Sequence, residues 1–403
     1  MTATALGSSS FRLYLGVNFL SLNGIWINRI LMSWLAWSYT GSAAWVGIVS
    51  SLLFAPTLLA GPFFGVLADR IDIRRGAVVT QILLALIMLT LWTVHSAGAL
   101  DIAGLAAIAF AFGLTASANH PIRLTLVPLL VPQSNIPNAI TLISINFNIA
   151  RLLGPAVGGL LIERLGPGPA MLISLAMTLP MLVAILFLRP RLREESKDGP
   201  TPLLAQLREG ARHVLRSEMI RQAMVVTLIA AVIARGALEV LPAVADGMFG
   251  RGARGLGQML SSAGAGALIS GAVIMLDGGR RPHADLMRRS WVWMLIGILA
   301  VCGLAAIDHW WVAMLMVFVM GASGTFTSIY TQSAIQLETS DAYRGRVVSL
   351  WLFVGMGGNA AGAVIFGALA DAIGMRRSLL TIALVGLAAA IPCMFRARKN
   401  NDL

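Results

Sequence analysis

Charged residues are scarce in this sequence, and acidic ones are the scarcest. Of the 403 residues only 12% are charged, with 18 Asp and Glu against 30 Lys and Arg. A soluble domain usually carries about 25% charged residues, so this composition argues against a soluble fold. What the chain has in abundance is apolar residues, at 57% of the total.

Residues that build disulfides, metal sites and catalytic sites are also few. The two cysteines, Cys302 and Cys393, both lie in apolar runs, which argues against a disulfide framework. His120 has no His, Cys or carboxylate at metal-ligand spacing, and neither a Walker loop nor a catalytic triad occurs. We therefore expect no enzyme, no ATP-driven pump, no cofactor and no metal.

Twelve apolar runs have the length of a membrane-spanning helix, which needs roughly 20 residues. Each is bounded by charges or by a Gly/Pro turn. The sequence thus predicts an all-α membrane protein with twelve transmembrane helices. The runs are residues 14–38, 44–68, 77–97, 102–126, 138–162, 168–188, 222–243, 255–276, 290–307, 310–333, 347–370 and 378–395.

The basic residues predict the orientation in the membrane. Counted from a cytoplasmic N-terminus, 21 of the 30 Lys and Arg fall in the loops of one side and five in those of the other. Because positive loops stay in the cytoplasm, both termini are expected inside, and no nucleic-acid partner is needed to explain the net charge of +12. Four arginines remain within the spans: Arg29, Arg123, Arg151 and Arg235.

The chain divides into two similar halves. A charged segment, 189–221, reads as a cytoplasmic linker between a six-helix bundle, 1–188, and a second one, 222–403. An offset of 208 positions maps Asp69 onto Asp277, Gly154 onto Gly362, Gly159 onto Gly367, Glu163 onto Asp371 and Gly166 onto Gly374. Parallel repeats of this kind predict two pseudo-symmetric bundles with substrate bound between them near the bilayer midplane.

Three stretches resemble a known family. GVLADRIDIRR (65–75) resembles the signature of the cytoplasmic loop between spans two and three in the major facilitator superfamily, and GPAVGG (154–159) matches the core of its antiporter motif. Residues 11–42 and 135–161 look like the exporter branch that contains the enterobactin exporter and macrolide efflux pumps. The resemblance covers nearly the whole chain and implies the major facilitator fold, alternating access and proton-driven export.

The loop signature implies a cytoplasmic gate. The Asp69 carboxylate would favour the positive N-terminal end of span eleven and could pair with Arg123. The alternative is that the motif only sets the topology. The residues assigned to the gate are Gly65, Asp69, Arg70, Arg74, Arg75, Arg123 and, in the second copy, Asp277.

The antiporter motif implies a tight seam between spans five and eight. Pro155 deletes a backbone donor, while Gly154, Gly158 and Gly159 allow a neighbouring helix to approach closely. The functional interpretation is a seal and hinge for the alternating motion. The alternative is ordinary small-residue packing.

Two arginines near the middle of their spans predict an anionic substrate. A charge at a helix centre costs about 2.5–3.5 kcal/mol on insertion scales, so Arg29 and Arg151 are expected to face a wet cavity, where the guanidinium fork suits carboxylate or phosphate oxygens. The alternative is that they bind backbone carbonyls freed by kinks. The predicted substrate-binding residues are Arg29, Arg151, Asn28, Trp26, Asn148 and Asn359.

Proton coupling is assigned to Glu239, the one acidic residue well within a predicted span. Arg235 lies four residues earlier, so the two can meet as an i, i+4 pair. Protonation of Glu239 would release Arg235, so proton and substrate would compete for one site. A static salt bridge is the alternative.

Together these patterns predict a monomeric secondary transporter in the cell inner membrane. It would export a small amphipathic, anionic molecule, a siderophore or a drug, in exchange for protons. Two alternatives stay open: a proton-coupled or facilitated importer of an organic anion, and a transport-inactive sensor on the same fold.

Overall fold

The structure is a computed structural model that describes residues 5–188, 212, 214–276 and 283–401. These residues form long helices joined by short turns, and no strand occurs among them. The regular helices are α1 (Ser9–Thr40), α2 (Ala43–Arg70), α3 (Ile73–Ser96), α4 (Ile102–Leu126), α5 (Ile136–Leu165), α6 (Pro167–Phe187), α7 (Glu218–Ala230), α8 (Gly252–Leu276), α9 (His283–Ala306), α10 (Trp310–Glu338), α11 (Asp341–Ile373) and α12 (Met375–Asn401).

Helix α7 continues in an irregular form. It passes through a π-helical stretch, Ala231–Arg235, into an α-helical turn, Gly236–Glu239, and a second π-helical stretch, Ala243–Met248. A π-helical stretch widens the helix locally and changes which side chains face a neighbour. The residues that follow Ala230 are therefore not placed as a regular helix would place them.

Within the described residues, eleven helices are long and apolar enough to cross a membrane. Helix α1 is not among them, although it is 32 residues long. It carries Asn18, Ser21, Asn23 and Asn28, and all four side chains are buried inside the protein. The predicted all-α membrane fold is confirmed, and of the twelve predicted spans eleven meet both criteria while α1 meets only that of length.

The chain forms two compact units. The first contains Met1–Thr40 and Leu52–Pro200. In this unit α1 packs against α5 and α6, and α3 packs against α4 and α6. Side-chain amides fasten these helices: Asn146 Nδ2 donates to the carbonyl of Leu15 over 2.8 Å. Gln81 Nε2 donates to the carbonyl of Thr178 over 2.9 Å.

The second unit contains Gly41–Ser51 and Thr201–Leu403. Helix α10 packs between α8 and α9, and α11 packs along α7. The α8–α10 contact depends on glycine, since a Cβ at Gly321 would lie 2.0 Å from the carbonyl oxygen of Ala263. The start of α2, as far as Ser51, belongs to this unit. There Asp371 accepts a hydrogen bond from the Ala43 N–H over 2.8 Å.

Equivalent positions of the two halves have equivalent roles. Gly166 ends α5 with φ of +84°, and Gly374 ends α11 with φ of +88°. Gly154 of α5 packs on α1, and Gly362 of α11 packs on α7. The offset read from the sequence therefore also relates helix ends and helix contacts. The predicted boundaries of the bundles stay a prediction, since most of the linker 189–221 lies outside the described residues.

Candidate functional site

Two glycines let α7 and α11 cross with their backbones in contact. A Cβ at Gly236 would lie 2.8 Å from the Cα of Gly362, and a Cβ at Gly362 would lie 2.2 Å from the carbonyl oxygen of Val232. Neither distance leaves room for a methyl group. Small residues at such positions are how membrane helices come close enough to share polar side chains.

The crossing brings Glu239 of α7 next to Asn359 of α11. Asn359 Nδ2 donates to Glu239 Oε1 over 3.1 Å. The backbone carbonyl of Glu239 accepts a hydrogen bond from Ser50 Oγ over 3.4 Å. Ser50 lies seven residues into α2, about 10 Å along the helix axis at 1.5 Å per residue. The carboxylate is therefore held inside the second unit, well away from the helix end.

Arg235 ends the first π-helical stretch of α7. Its Nη2 donates to the carbonyl of Gly324 on α10 over 3.4 Å. The half-buried guanidinium thus lies between α7 and α10 in the second unit. Single π-helical turns within α-helices are rare and frequently occur at functional sites.

A cleft of about 370 Å³ opens between α7, α10 and α11. Trp351 forms part of its wall, with Nε1 donating to Thr227 Oγ1 over 2.9 Å. The Thr327 side chain is 2% exposed, and its hydroxyl has no hydrogen-bond partner. The lining residues are Thr227, Ala230, Ala231, Arg235, Gly324, Thr327, Ser328, Trp351, Leu352, Gly355 and Met356.

Several of the predicted substrate-binding residues lie on α1 in the first unit. The Arg29 guanidinium carbon is 4.9 Å from the centre of the Trp26 ring and 4.1 Å from that of Phe54, both within cation–π range. Asn28 is 0% exposed, and neither amide atom has a hydrogen-bond partner. The Arg29 guanidinium therefore lies against two aromatic rings.

The other two predicted residues of this unit lie on α5. Asn148 Nδ2 donates to the Ser144 carbonyl of its own helix over 2.9 Å. This bond is local to α5 and does not distinguish a substrate-binding residue from any other. Arg151 is half-buried. The structure thus brings Arg29 and Trp26 together in this unit, and Glu239 and Asn359 in the other. The assignment of all these residues to one substrate site stays a prediction.

The antiporter motif lies against α1. A Cβ at Gly154 would be 2.5 Å from the Cβ of Trp26, and a Cβ at Gly158 would be 2.7 Å from the Cγ2 of Ile30. Pro155 and Gly159 are also buried in α5. The contacts seen for Gly154 and Gly158 are therefore with α1, whereas the resemblance implied a seam with span eight. That seam stays a prediction.

Two of the residues assigned to the gate, Arg74 and Arg123, donate hydrogen bonds to other residues of the first unit. Arg74 donates from Nε to the carbonyl of Ile185 at the end of α6 over 3.1 Å, and Arg75 lies exposed in the first turn of α3. Arg123 is buried and donates from Nη2 to Ser21 Oγ over 3.0 Å. The side chains of Gly65, Asp69, Arg70 and Asp277 lie outside what the structure describes.

The site contains residues that the sequence did not single out. The segment GASGTFTSIYTQS (321–333) places Thr327, Ser328 and Gly324 in the cleft. Its run of small and hydroxyl residues inside an apolar span is a signal for helix–helix contact or a polar cavity, so the segment was recognisable. The π-helical stretch of α7 has no comparable signal in the sequence.

The described residues form helices of membrane-spanning length with polar side chains buried among them, an arrangement typical of membrane transporters. The family model described as "Transmembrane secretion effector", a branch of the major facilitator superfamily, matches residues 2–402. The chain belongs to this family, and it is therefore a multi-span membrane transporter and not an enzyme.

Relatives of known description are similar along most of the chain. The multidrug efflux pump Tap of Mycobacterium bovis is 26% identical over 89% of this chain and 86% of its own length. The multidrug resistance protein MdtG of Citrobacter koseri is 24% identical over 90% and 88%. The staphyloferrin A transporter of Staphylococcus aureus is 28% identical, over 38% of this chain and 37% of its own length.

Solved structures share the fold at low sequence identity. A nucleoside transporter NupG variant has a TM-score of 0.78 at 15% identity, covering 96% of this chain and 99% of its own. A bacterial homologue of the lysosomal transporter Spinster has a TM-score of 0.76 at 15% identity, covering 97% of both chains. At this identity the likeness shows the fold alone.

Proposed function

We propose that this protein exports small amphipathic, anionic molecules, drugs or siderophores, in exchange for protons. The direction and the substrate class are supported by the similarity to two multidrug efflux pumps over most of the chain and to a staphyloferrin A transporter over part of it. The family model, a secretion effector, points in the same direction.

The contact between Glu239 and Asn359 is the observation that carries the proton coupling. An ionised carboxylate only accepts hydrogen bonds, whereas a protonated one also donates, and a primary amide can do both. Asn359 Nδ2 donates to Glu239 Oε1, while the buried Oδ1 of Asn359 has no partner. One amide can thus serve the charged carboxylate as donor and, after rotation, the neutral acid as acceptor.

The position of Arg235 couples this proton to an anion. Arg235 lies four residues before Glu239 on α7, and it also lines the cleft towards α10 and α11. The charge of Glu239 and that of a bound anion therefore act on the same guanidinium. Exchange by alternating access requires that the protein turns either with the substrate bound and Glu239 ionised or with the site empty and Glu239 protonated. Arg29 and Arg151 are further proposed contacts for the substrate.

Transport in inverted membrane vesicles tests the proposal. With carboxyfluorescein as the anionic probe and an acid interior, we expect accumulation that collapses when nigericin dissipates the pH gradient. Glu239→Gln keeps the shape of the side chain but cannot be ionised, so its uptake should lose the dependence on the gradient. Glu338→Gln, which changes an exposed carboxylate at the end of α10 and keeps the oxygen that accepts from Ser217, is the matched control and should transport normally.

Each part of the proposal has its own contrary result. Gradient-dependent uptake by Glu239→Gln would remove the proton role from that residue. Uptake by the unmodified protein that ignores nigericin would rule out proton antiport. Accumulation of the cation ethidium with none of carboxyfluorescein would contradict the anionic substrate class, and uptake only into right-side-out vesicles would indicate import.

The placement in the cell remains part of the proposal. We infer that the transporter lies in the bacterial inner membrane as a monomer, with both termini in the cytoplasm. The excess of basic residues on one set of loops supports this orientation. A C-terminal fusion to alkaline phosphatase, which is active only in the periplasm, should be inactive.

A further inference from the structure

The cleft of the second unit has one polar wall and one apolar wall. Arg235, Thr327 and Ser328 supply the polar groups on α7 and α10. Trp351, Leu352 and Met356 supply the apolar surface on α11. It is an open cleft, and its empty space of about 370 Å³ includes solvent at its mouth.

The buried hydroxyl of Thr327 lacks the bond that other threonines of the same helix make. Thr325 Oγ1 donates to the carbonyl of Gly321 over 3.1 Å, and Thr331 Oγ1 donates to the carbonyl of Thr327 over 2.8 Å. Thr327 Oγ1 has no partner, although its side chain is 2% exposed. A buried polar group without a partner is costly and calls for an explanation. A ligand oxygen in the cleft would provide the missing bond.

The charge of the cleft selects a ligand of negative charge. Arg235 contributes a guanidinium, and none of the lining residues is acidic. A guanidinium in a restricted space binds carboxylates by paired, charge-assisted hydrogen bonds. A cationic ligand would find no counter-charge on these walls.

Trp351 is held so that its apolar surface remains for a ligand. Its only donor, Nε1, is used by Thr227 Oγ1 at 2.9 Å. The ring itself lines the cleft beside Leu352. Aromatic and aliphatic surfaces of this kind recognise a flat, apolar ligand body.

We propose that this cleft binds the acidic end of the transported molecule, an aromatic or apolar body that carries a carboxylate. The carboxylate lies between the Arg235 guanidinium and the Thr327 hydroxyl, and the ring lies against Trp351 and Leu352. This proposal rests on the proposed export function and names the substrate class of the same protein. It also places the anion one helical turn from Glu239.

Equilibrium binding to the purified full-length protein in lipid nanodiscs tests the proposal. The probes are 2-naphthoate, its uncharged analogue 2-naphthamide and the cation 2-naphthylmethylammonium. We expect 2-naphthoate to bind at least tenfold more tightly than the other two. Thr327→Val keeps the size of the side chain and removes only a hydroxyl without a partner, so it should fold normally and bind 2-naphthoate about tenfold more weakly, as for a lost hydrogen bond to a charged group.

Two further variants complete the test. Thr325→Val, a matched change on the same helix outside the cleft, should bind 2-naphthoate as the unmodified protein does. Arg235→Gln should bind 2-naphthoate and 2-naphthamide equally. Equal affinities of the unmodified protein for naphthoate and naphthamide, absence of naphthoate binding, or unchanged affinity in Thr327→Val would each overturn the proposal.

The outcome separates this site from the transport mechanism. Binding that depends on Thr327 in a protein without proton-driven uptake would support the cleft and contradict antiport. Proton-driven uptake of carboxyfluorescein by Thr327→Val at an unchanged apparent KM would support antiport and contradict the cleft.

Discussion

Replacing Gly362 by alanine should force α7 and α11 apart. The added Cβ would lie 2.2 Å from the carbonyl oxygen of Val232 and 2.9 Å from its Cα. Packed carbon atoms lie about 3.5 Å or more from their neighbours, so the two backbones have to separate by about 1 Å. Because the obstructing atoms are backbone, no side chain can rotate away to relieve the contact.

The energetic cost can be isolated with a second glycine. Gly271 lies in α8 with nothing within 4 Å of a Cβ built on it. Alanine gains up to about 1 kcal/mol of helix propensity at either position, and that gain cancels when the two variants are compared. What remains is the overpacking at Gly362, about 1–3 kcal/mol. At roughly 2–4 °C per kcal/mol, Gly362→Ala should unfold several degrees below Gly271→Ala.

Thermal unfolding of the purified variants and proton-driven uptake measure the effect. Asn359 lies three residues before Gly362, and its 3.1 Å bond to Glu239 Oε1 would exceed hydrogen-bond range after such a separation. Gly362→Ala should therefore lose coupled transport while Gly271→Ala retains it. Equal unfolding temperatures for the two variants would refute the argument that backbone contact sets this crossing.

Two further predictions concern helix ends. Asp371→Ala removes the carboxylate that accepts from the Ala43 N–H at the start of α2, so it should destabilise the protein by about 0.5–2 kcal/mol, as the loss of other helix caps does. Asp308→Ala, the control at an exposed ion pair, should cost less than 1 kcal/mol. Equal losses of stability in thermal unfolding would contradict the capping role of Asp371. Gly374→Ala places a side chain at φ of +88° and ψ of 151°, a backbone conformation that essentially only glycine adopts. It should lower the stability of the protein by about 1–3 kcal/mol. Unfolding at the same temperature as Gly271→Ala would contradict this prediction.

Composition and the pattern of apolar runs were enough to predict the class of protein. The apolar runs and the scarcity of charge predicted a helical membrane protein, because the bilayer fixes the length and polarity of each span. The repeat was also readable, and Gly166 and Gly374 show why: both must end a helix at positive φ, a requirement that fixes the residue type. Among the helices that the structure describes, only α1 departs from the pattern, because its buried asparagines lower its hydropathy.

The partners of individual side chains were much harder to predict. The pairing of Arg123 with Asp69 stays a prediction, because the Asp69 side chain lies outside what the structure describes; the bond that Arg123 Nη2 donates to Ser21, 102 residues away, had no signal in the sequence. The contact of Gly154 with Trp26 of α1 was likewise not foreseen, and the seam of its motif with span eight stays a prediction. A short motif states which residue types are present, but the helix that meets them depends on how the whole bundle packs.

The sequence by itself determined that this protein lies in a membrane, that it is built from two similar halves, and that Glu239 and Arg235 are unusual charges within it. Only the tertiary structure decided that Glu239 meets Asn359, 120 residues away, and that Thr327 has a buried hydroxyl without a partner. The reason is physical: hydropathy, charge and turn residues act over a few positions of the chain. The hydrogen bond between Asn359 and Glu239, by contrast, joins two distant segments that meet where Gly236 and Gly362 bring their backbones into contact.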